Sequence, residues 1–182
     1  LPRALKAKYV GEFGLSAYDA AILTDDKDTA LYFEAVLRGT AHRKSAANMV
    51  MGPVRSWINE RGVPMKEFPI SAERIAGLVE LIEAGTVNHT QATQKLFPLM
   101  LEHAGGAAEL ARAHDLVQVK NDDLVERLAR EAMDRYPEKV AAYRSGQKGM
   151  IGLFMGEVMK GTKGKADPKA ANEVVRRLLE GK

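Results

Sequence analysis

An all-α fold in two small helical domains is what this sequence predicts, and three observations predict it. Apolar residues recur at helical rather than strand spacing almost throughout. Ser, Asp or Asn stands just ahead of these runs, and Gly or Pro closes them. No alternating strand pair and no fixed-period repeat is visible.

Taken in order, Ser16 precedes a short apolar turn through Ala20, Ala21 and Leu23. Asp25 or Asp26 then caps a second helix carrying Ala30, Leu31, Phe33, Val36 and Leu37, which stops at Gly39. A third segment from about His42 to Asn59 turns Ala46, Ala47, Val50, Val54, Trp57 and Ile58 inward, and Pro53 should kink or split it. Gly62 to Pro69 reads as a loop. Ser71 caps a helix with Ile75, Leu78, Val79 and Ile82 on one face, ending at Gly85. Asn88 caps the next, which Gly105 and Gly106 break after Met100, and a short Ala-rich turn follows. Asp115 to Val119 reads as a joint or hinge, so a helical domain is expected over residues 1–114 and a tail of three to four helices over 118–182. In the tail, Asp122 or Asp123 opens a helix running to Arg135, and Pro137 opens a short one. A third runs from about Lys148 to Lys160 with Ile151, Phe154, Met155 and Val158 on one face. Asp167 as N-cap and Pro168 at the first helical position start the last.

Composition narrows the function. The 182 residues are 46% hydrophobic and 28% charged, which is a soluble globular mixture. No apolar stretch approaches the roughly 20 residues of a membrane span, and no charged-then-apolar leader opens the chain. The lack of Cys excludes disulfides, thiol nucleophiles and Cys-bound zinc, and fits a reducing, cytoplasmic setting. Leu1 in place of Met leads us to expect a piece of a longer polypeptide. The net charge of +3 is unevenly spread: residues 118–182 carry 14 Lys+Arg against 10 Asp+Glu, and residues 1–117 carry 13 against 14. The excess concentrates in Arg144, Lys148, Lys160, Lys163, Lys165 and Lys169, opposed there by only Glu157 and Asp167. A basic patch on a neutral body points towards a polyanion, against the plainer reading of a solvated face.

The same stretch holds six glycines, at 146, 149, 152, 156, 161 and 164. Three fall inside the predicted third tail helix, where each costs about 0.8–1 kcal/mol relative to Ala. Close helix packing is expected of Gly152 and Gly156, which are surrounded by apolar residues. A ligand-facing loop is expected of Gly161 and Gly164, which interleave with lysines. Known glycine motifs do not fit: a phosphate-binding Walker loop needs Gly where Met159 stands, and Gly161-Thr-Lys-Gly164 lacks the strands of a KH clamp. The four histidines at 42, 89, 103 and 114 are scattered, and Asp25, Asp26 and Asp28 lack the glycine and final glutamate of a calcium loop. No catalytic residue and no metal ligand is assigned.

The segment Gly156-Glu-Val-Met-Lys-Gly-Thr-Lys-Gly-Lys-Ala-Asp-Pro-Lys-Ala-Ala-Asn172 nevertheless resembles the C-terminal signature of the B subunits of tRNA-dependent aspartyl/glutamyl amidotransferases, the GatB/YqeY family. Tyr9 to Thr24, Ala47-Asn48, Leu116-Val-Gln118, Tyr136-Pro137 and Tyr143-Arg-Ser-Gly146 agree with it in order and spacing, so the resemblance spans essentially the whole chain. Gln147, Glu157 and Asp167 depart from it, where Lys, Gln and Asn are common, and the first two leave this tail less basic than the pattern.

The resemblance implies a division of labour. The family's N-terminal catalytic region phosphorylates the mischarged aminoacyl-tRNA with ATP and Mg²⁺, and ammonia from a glutaminase subunit completes the amide. This chain lacks that region, so no cofactor is expected in it. The partners implied are tRNA(Gln) or tRNA(Asn) and, through the full-length protein, amidotransferase subunits A and C. The tail is expected to grip the outer corner of the tRNA through Arg144, Lys148, Lys160, Lys163, Lys165 and Lys169, with the backbone N–H groups of Gly161 and Gly164 joining them. The alternative is a protein-interaction module that braces the catalytic region or a partner subunit through the Gly152/Gly156 face.

Overall fold

A computed structural model describes residues 2–118 and 122–182. Its regular structure is helical, with no strand among the described residues. The chain divides into two compact units, Leu1–Asp115 and Leu116–Lys182. The joint expected at 115–119 extends to Val119, which lies outside the described residues.

The first unit holds helices α1 (Pro2–Gly11), α2 (Ala17–Thr24), α3 (Lys27–Leu37), α4 (Arg43–Met49), α5 (Arg55–Arg61), α6 (Ala72–Glu83), α7 (His89–Gln91), α8 (Phe97–Glu102) and α9 (Ala107–Ala113). Helix α1 has no counterpart in the sequence reading, because its apolar residues form no stripe: Tyr9 is its one buried residue. That tyrosine holds it. Its ring meets Phe13 and Phe33, and its hydroxyl donates to the Ala30 carbonyl at 3.3 Å and to Glu34 at 3.1 Å. The expected caps form, with Ser16, Asp26, Ser71 and Asn88 accepting from the backbone N–H three residues on. The Ala-rich turn after Gly106 is a helix, α9, which buries Ala107, Leu110 and Ala111.

Pro53 neither breaks nor sharply splits its helix. A π-helical turn, Val50–Val54, joins α4 to α5, and the N–H of Arg55 reaches the Val50 carbonyl five residues back. A second, Ala92–Leu96, stands just ahead of Pro98, with Phe97 bonded to Ala92. A proline ring clashes with the carbonyl four residues earlier, and the wider turn moves that carbonyl aside while keeping a bond.

The second unit holds α10 (Asp122–Arg135), α11 (Pro137–Arg144), a 3₁₀ turn (Lys148–Met150), α12 (Ile151–Gly161) and α13 (Pro168–Leu179). Its core is Val125, Ala129 and Ala132 from α10, Val140 and Tyr143 from α11, Phe154 and Val158 from α12, and Ala171, Val175, Leu178 and Leu179 from α13. Phe154, Val158 and Leu179 are completely buried. Burying side chains of that size contributes about 1.5–3 kcal/mol each, which holds α12 and α13 against α10.

Candidate nucleic-acid interface

The basic segment lies where α12 ends and α13 begins, and a defined turn builds it. The N–H of Gly164 donates to the Met159 carbonyl at 2.7 Å and that of Lys163 to Lys160 at 3.1 Å, the two bonds of a Schellman C-cap. Lys163 occupies the left-handed position of this cap, at φ 54°, and Gly164 follows at 75°. A side chain at such a φ costs about 1 kcal/mol that glycine would not. Thr162 stands inside the turn, only 3% exposed. Its hydroxyl donates to the Val158 carbonyl at 3.0 Å and accepts from the Ala166 N–H at 3.2 Å. Asp167 then caps α13 through the Lys169 N–H at 3.3 Å, with Pro168 at the first helical position. Sequence reasoning passed over Thr162. A hydroxyl between two glycines at a helix end, followed by Asp-Pro, was the signal that it fastens the turn.

The cap corrects the expected use of glycine. The Gly164 N–H is consumed by Met159, and Gly161 is the last residue of α12 rather than part of a ligand-facing loop. A Cβ at Gly161 would stand 2.8 Å from the Leu128 methyls, so this glycine serves the α10–α12 approach. The N–H groups of residues 162 to 165 are therefore spent on the turn itself. The close packing expected of Gly152 and Gly156 is also absent: both are exposed, and an added Cβ would meet nothing within 4 Å.

Nor are the six basic residues one cluster. Lys160, Lys163, Lys165 and Lys169 gather around the α12–α13 turn, while Arg144 and Lys148 lie beyond the opposite end of α12, about 16 Å away along its axis. Arg144 Nε donates to the Leu179 carbonyl at 2.9 Å, closing the C-terminus of α13. The Lys148 ammonium rests 4.2 Å from the centre of the Tyr143 ring.

Three arginines of the unit share two carboxylates. Glu126 receives Arg130 at 2.8 Å and Arg177 at 3.4 Å, and Glu157 receives Arg135 at 2.9 Å. The Arg130 hydrogen bond, with Arg177 beside it, holds the Glu126 carboxyl below its ordinary range. Lys160, Lys163 and Lys169 are exposed and form no ion pair among the described residues.

Elsewhere, in the acidic run at 25–28, Asp26 caps α3 and Asp28 pairs with Lys66 at 3.7 Å. The histidines are less scattered than their numbering, since His103 and His114 stack with ring centres 5.8 Å apart. Among the described residues no three His, Asp or Glu side chains converge as metal ligands, and no helix is long and apolar enough to cross a membrane.

Comparison with known proteins gives this arrangement a family. One described as "GatB domain" matches residues 31–179. The B subunit of the aspartyl/glutamyl-tRNA(Asn/Gln) amidotransferase of Synechococcus sp. (strain JA-3-3Ab) is 37% identical over 181 residues, covering 100% of this chain and 37% of the relative. Its counterpart in Chlorobium phaeobacteroides (strain BS1) is 38% identical over 181 residues, with 100% and 38% covered. That of Hydrogenovibrio crunogenus (strain DSM 25203 / XCL-2) is 38% identical over 180 residues, with 99% and 38% covered. The chain thus spans little more than a third of these relatives, on their C-terminal part. With a family match over most of its length and whole-chain identity to these proteins, the chain belongs to the GatB/YqeY family.

Proposed function

We propose that this chain is the tRNA-gripping C-terminal region of the B component of a tRNA-dependent amidotransferase, positioning Glu-tRNA(Gln) or Asp-tRNA(Asn) for ATP- and glutamine-dependent amidation. The observation that carries the reading is the α12–α13 turn, where Lys160, Lys163 and Lys169 gather exposed and without ion pairs, while Arg130 and Arg177 share Glu126 and Arg135 is held by Glu157. Ammonium groups kept out of internal pairing, on a turn whose backbone is rigidly capped, suit phosphate contacts. Such contacts position a nucleic acid without reading its sequence. Amidotransferase subunits A and C belong to the same proposal, as partners of the full-length protein.

ATP and Mg²⁺ belong to this proposal only through the full-length protein. Of the carboxylates at 25, 26 and 28, Asp26 is held by a helix cap and Asp28 by an ion pair, and no three His, Asp or Glu side chains converge as metal ligands among the described residues. No phosphoryl-transfer step is assigned to these residues.

Binding of the chain to unacylated tRNA(Gln) and tRNA(Asn), followed by fluorescence anisotropy from about 50 to 200 mM salt, tests the proposal. The expected slope corresponds to about three to five released counterions, and the K163A/K165A variant should bind more weakly with a shallower slope and unchanged helix content. Unaltered affinity and slope in that variant would remove the turn from the interface.

A second reading has its own observation. The exposed Gly152 and Gly156 are flanked by the half-buried Leu153, Met155 and Met159, a face suited to docking a protein partner. Apolar docking hardly responds to salt, so the same titration against a partner subunit separates the two.

A further inference from the structure

The first unit carries slightly more acid than base, yet it gathers three cations around one cleft. Lys8 of α1, Arg38 at the end of α3 and Arg43 at the start of α4 line an open cavity of about 790 Å³, with Thr40 and the carboxylates of Glu34 and Glu80. Both carboxylates are engaged. Glu34 accepts from the Tyr9 hydroxyl at 3.1 Å and lies 3.6 Å from the Lys8 ammonium, while Glu80 accepts from the Thr40 hydroxyl at 2.6 Å. Two of the cations are held in advance. Lys8 and Arg43 lie 5.3 and 5.0 Å from the centre of the Phe13 ring, and Arg43 Nη1 also donates to the Glu12 carbonyl at 2.6 Å. That leaves most of the Arg43 guanidinium donors unspent. The Arg38 guanidinium makes no hydrogen bond or ion pair among the described residues.

We propose that this cleft between α1 and the α3–α4 corner is a second anchor for RNA, receiving a backbone phosphodiester between the Arg38 and Arg43 guanidiniums with Lys8 adding charge. The forked donors of two arginines match phosphate oxygens, and the immobilisation of Arg43 and Lys8 on Phe13 lowers the ordering cost of binding. The cavity is large enough for a phosphate with its ribose. The choice of RNA over an acidic peptide rests on the tRNA reading above. The cleft itself rests on none of the residues of the α12–α13 turn.

The test uses the full chain, unacylated tRNA and anisotropy across the same salt range. The exposed Arg38 side chain makes no hydrogen bond or ion pair among the described residues, so R38A should leave thermal unfolding nearly unchanged, weaken tRNA binding about fivefold and lower the salt slope by about one. R43K, which keeps the charge but loses the fork, should weaken binding less than R38A combined with R43A. Equal affinity and slope for R38A and the unaltered chain, while K163A/K165A still weakens binding, overturns the cleft and spares the turn. No binding of tRNA by the unaltered chain overturns both. If inorganic phosphate at constant ionic strength abolishes the Arg38-dependent component at millimolar concentration, the cleft takes free phosphate, and the RNA anchor is overturned. Competition by a polyglutamate peptide as effective as that by RNA overturns it equally.

Discussion

Lys163 carries a side chain where the backbone asks for none. Its φ of 54° is one of two positive values among the described non-glycine residues, and a glycine there would complete the same cap without strain. Replacing it therefore separates fold from function: K163G should raise stability by up to about 1 kcal/mol in urea unfolding while weakening tRNA binding. A loss of stability would show that Lys163 supports the turn rather than being tolerated by it. Thr162 is the opposite case, since its hydroxyl fastens Val158 and Ala166 from within. T162V should cost about 1–3 kcal/mol by leaving the Ala166 N–H unsatisfied, and T162S should restore most of it. Asp26 provides a pH probe. Hydrogen bonds from the Thr29 N–H and hydroxyl, both at 2.9 Å, lower its carboxyl below the ordinary value. A depressed carboxylate stabilises the folded state above its unfolded pKa, near 3.9, and that stability is lost as pH falls through the lower folded value. The unaltered chain should thus lose its advantage over D26A at acidic pH in thermal melts, whereas a constant difference between pH 7 and pH 2 would exclude the ionised cap as its source.

At the scale of an element, α12 is the anomaly. Gly152 and Gly156 lie within it, exposed and touching nothing that a methyl group would displace. Interior glycine is unfavourable by about 0.8–1 kcal/mol against Ala, so G152A/G156A should stabilise the chain by about 1.5–2 kcal/mol in chemical denaturation. Destabilisation would mean that this face packs within the chain after all. From spacing alone, close packing is the natural expectation, because apolar residues on both sides of a glycine look the same whether that glycine faces in or out. The 100° advance per residue places Phe154 and Val158 inward and Gly152 and Gly156 outward, and the partner helices decide which arc is covered. The π turns at Pro53 and ahead of Pro98 make a related point. Proline announces a disruption, but whether the helix breaks or widens depends on core residues such as Val50, Val54 and Leu96 holding both halves in place.

For the whole molecule, the chain divides into two compact units, and the second has a core built from α10, α11, α12 and α13. Residues 116–182 expressed alone should therefore unfold cooperatively and retain the part of tRNA binding that depends on Lys163 and Lys165, read by anisotropy. A fragment that is unfolded, or folded without that component, would count against a separate grip in the tail. The charge balance of the two units was legible without coordinates, since it is a count along the chain. Its spatial meaning was not, because Arg130, Arg135 and Arg177 count as basic yet share the two carboxylates of Glu126 and Glu157 within and across helices.

The sequence by itself determined the all-α class, the helix starts at Ser16, at Asp25 or Asp26, and at Ser71, Asn88 and Asp167, and the family, because capping and periodicity are local and motif order is linear. Only the tertiary structure decided that α1 is pinned by one tyrosine, that Gly161 meets Leu128, that Arg144 closes the end of α13, and that Arg38 and Arg43 share a cleft with Lys8. Each of these is a meeting of residues distant in the chain, set by how the helices bury their apolar faces against one another, and no spacing along a single segment encodes it.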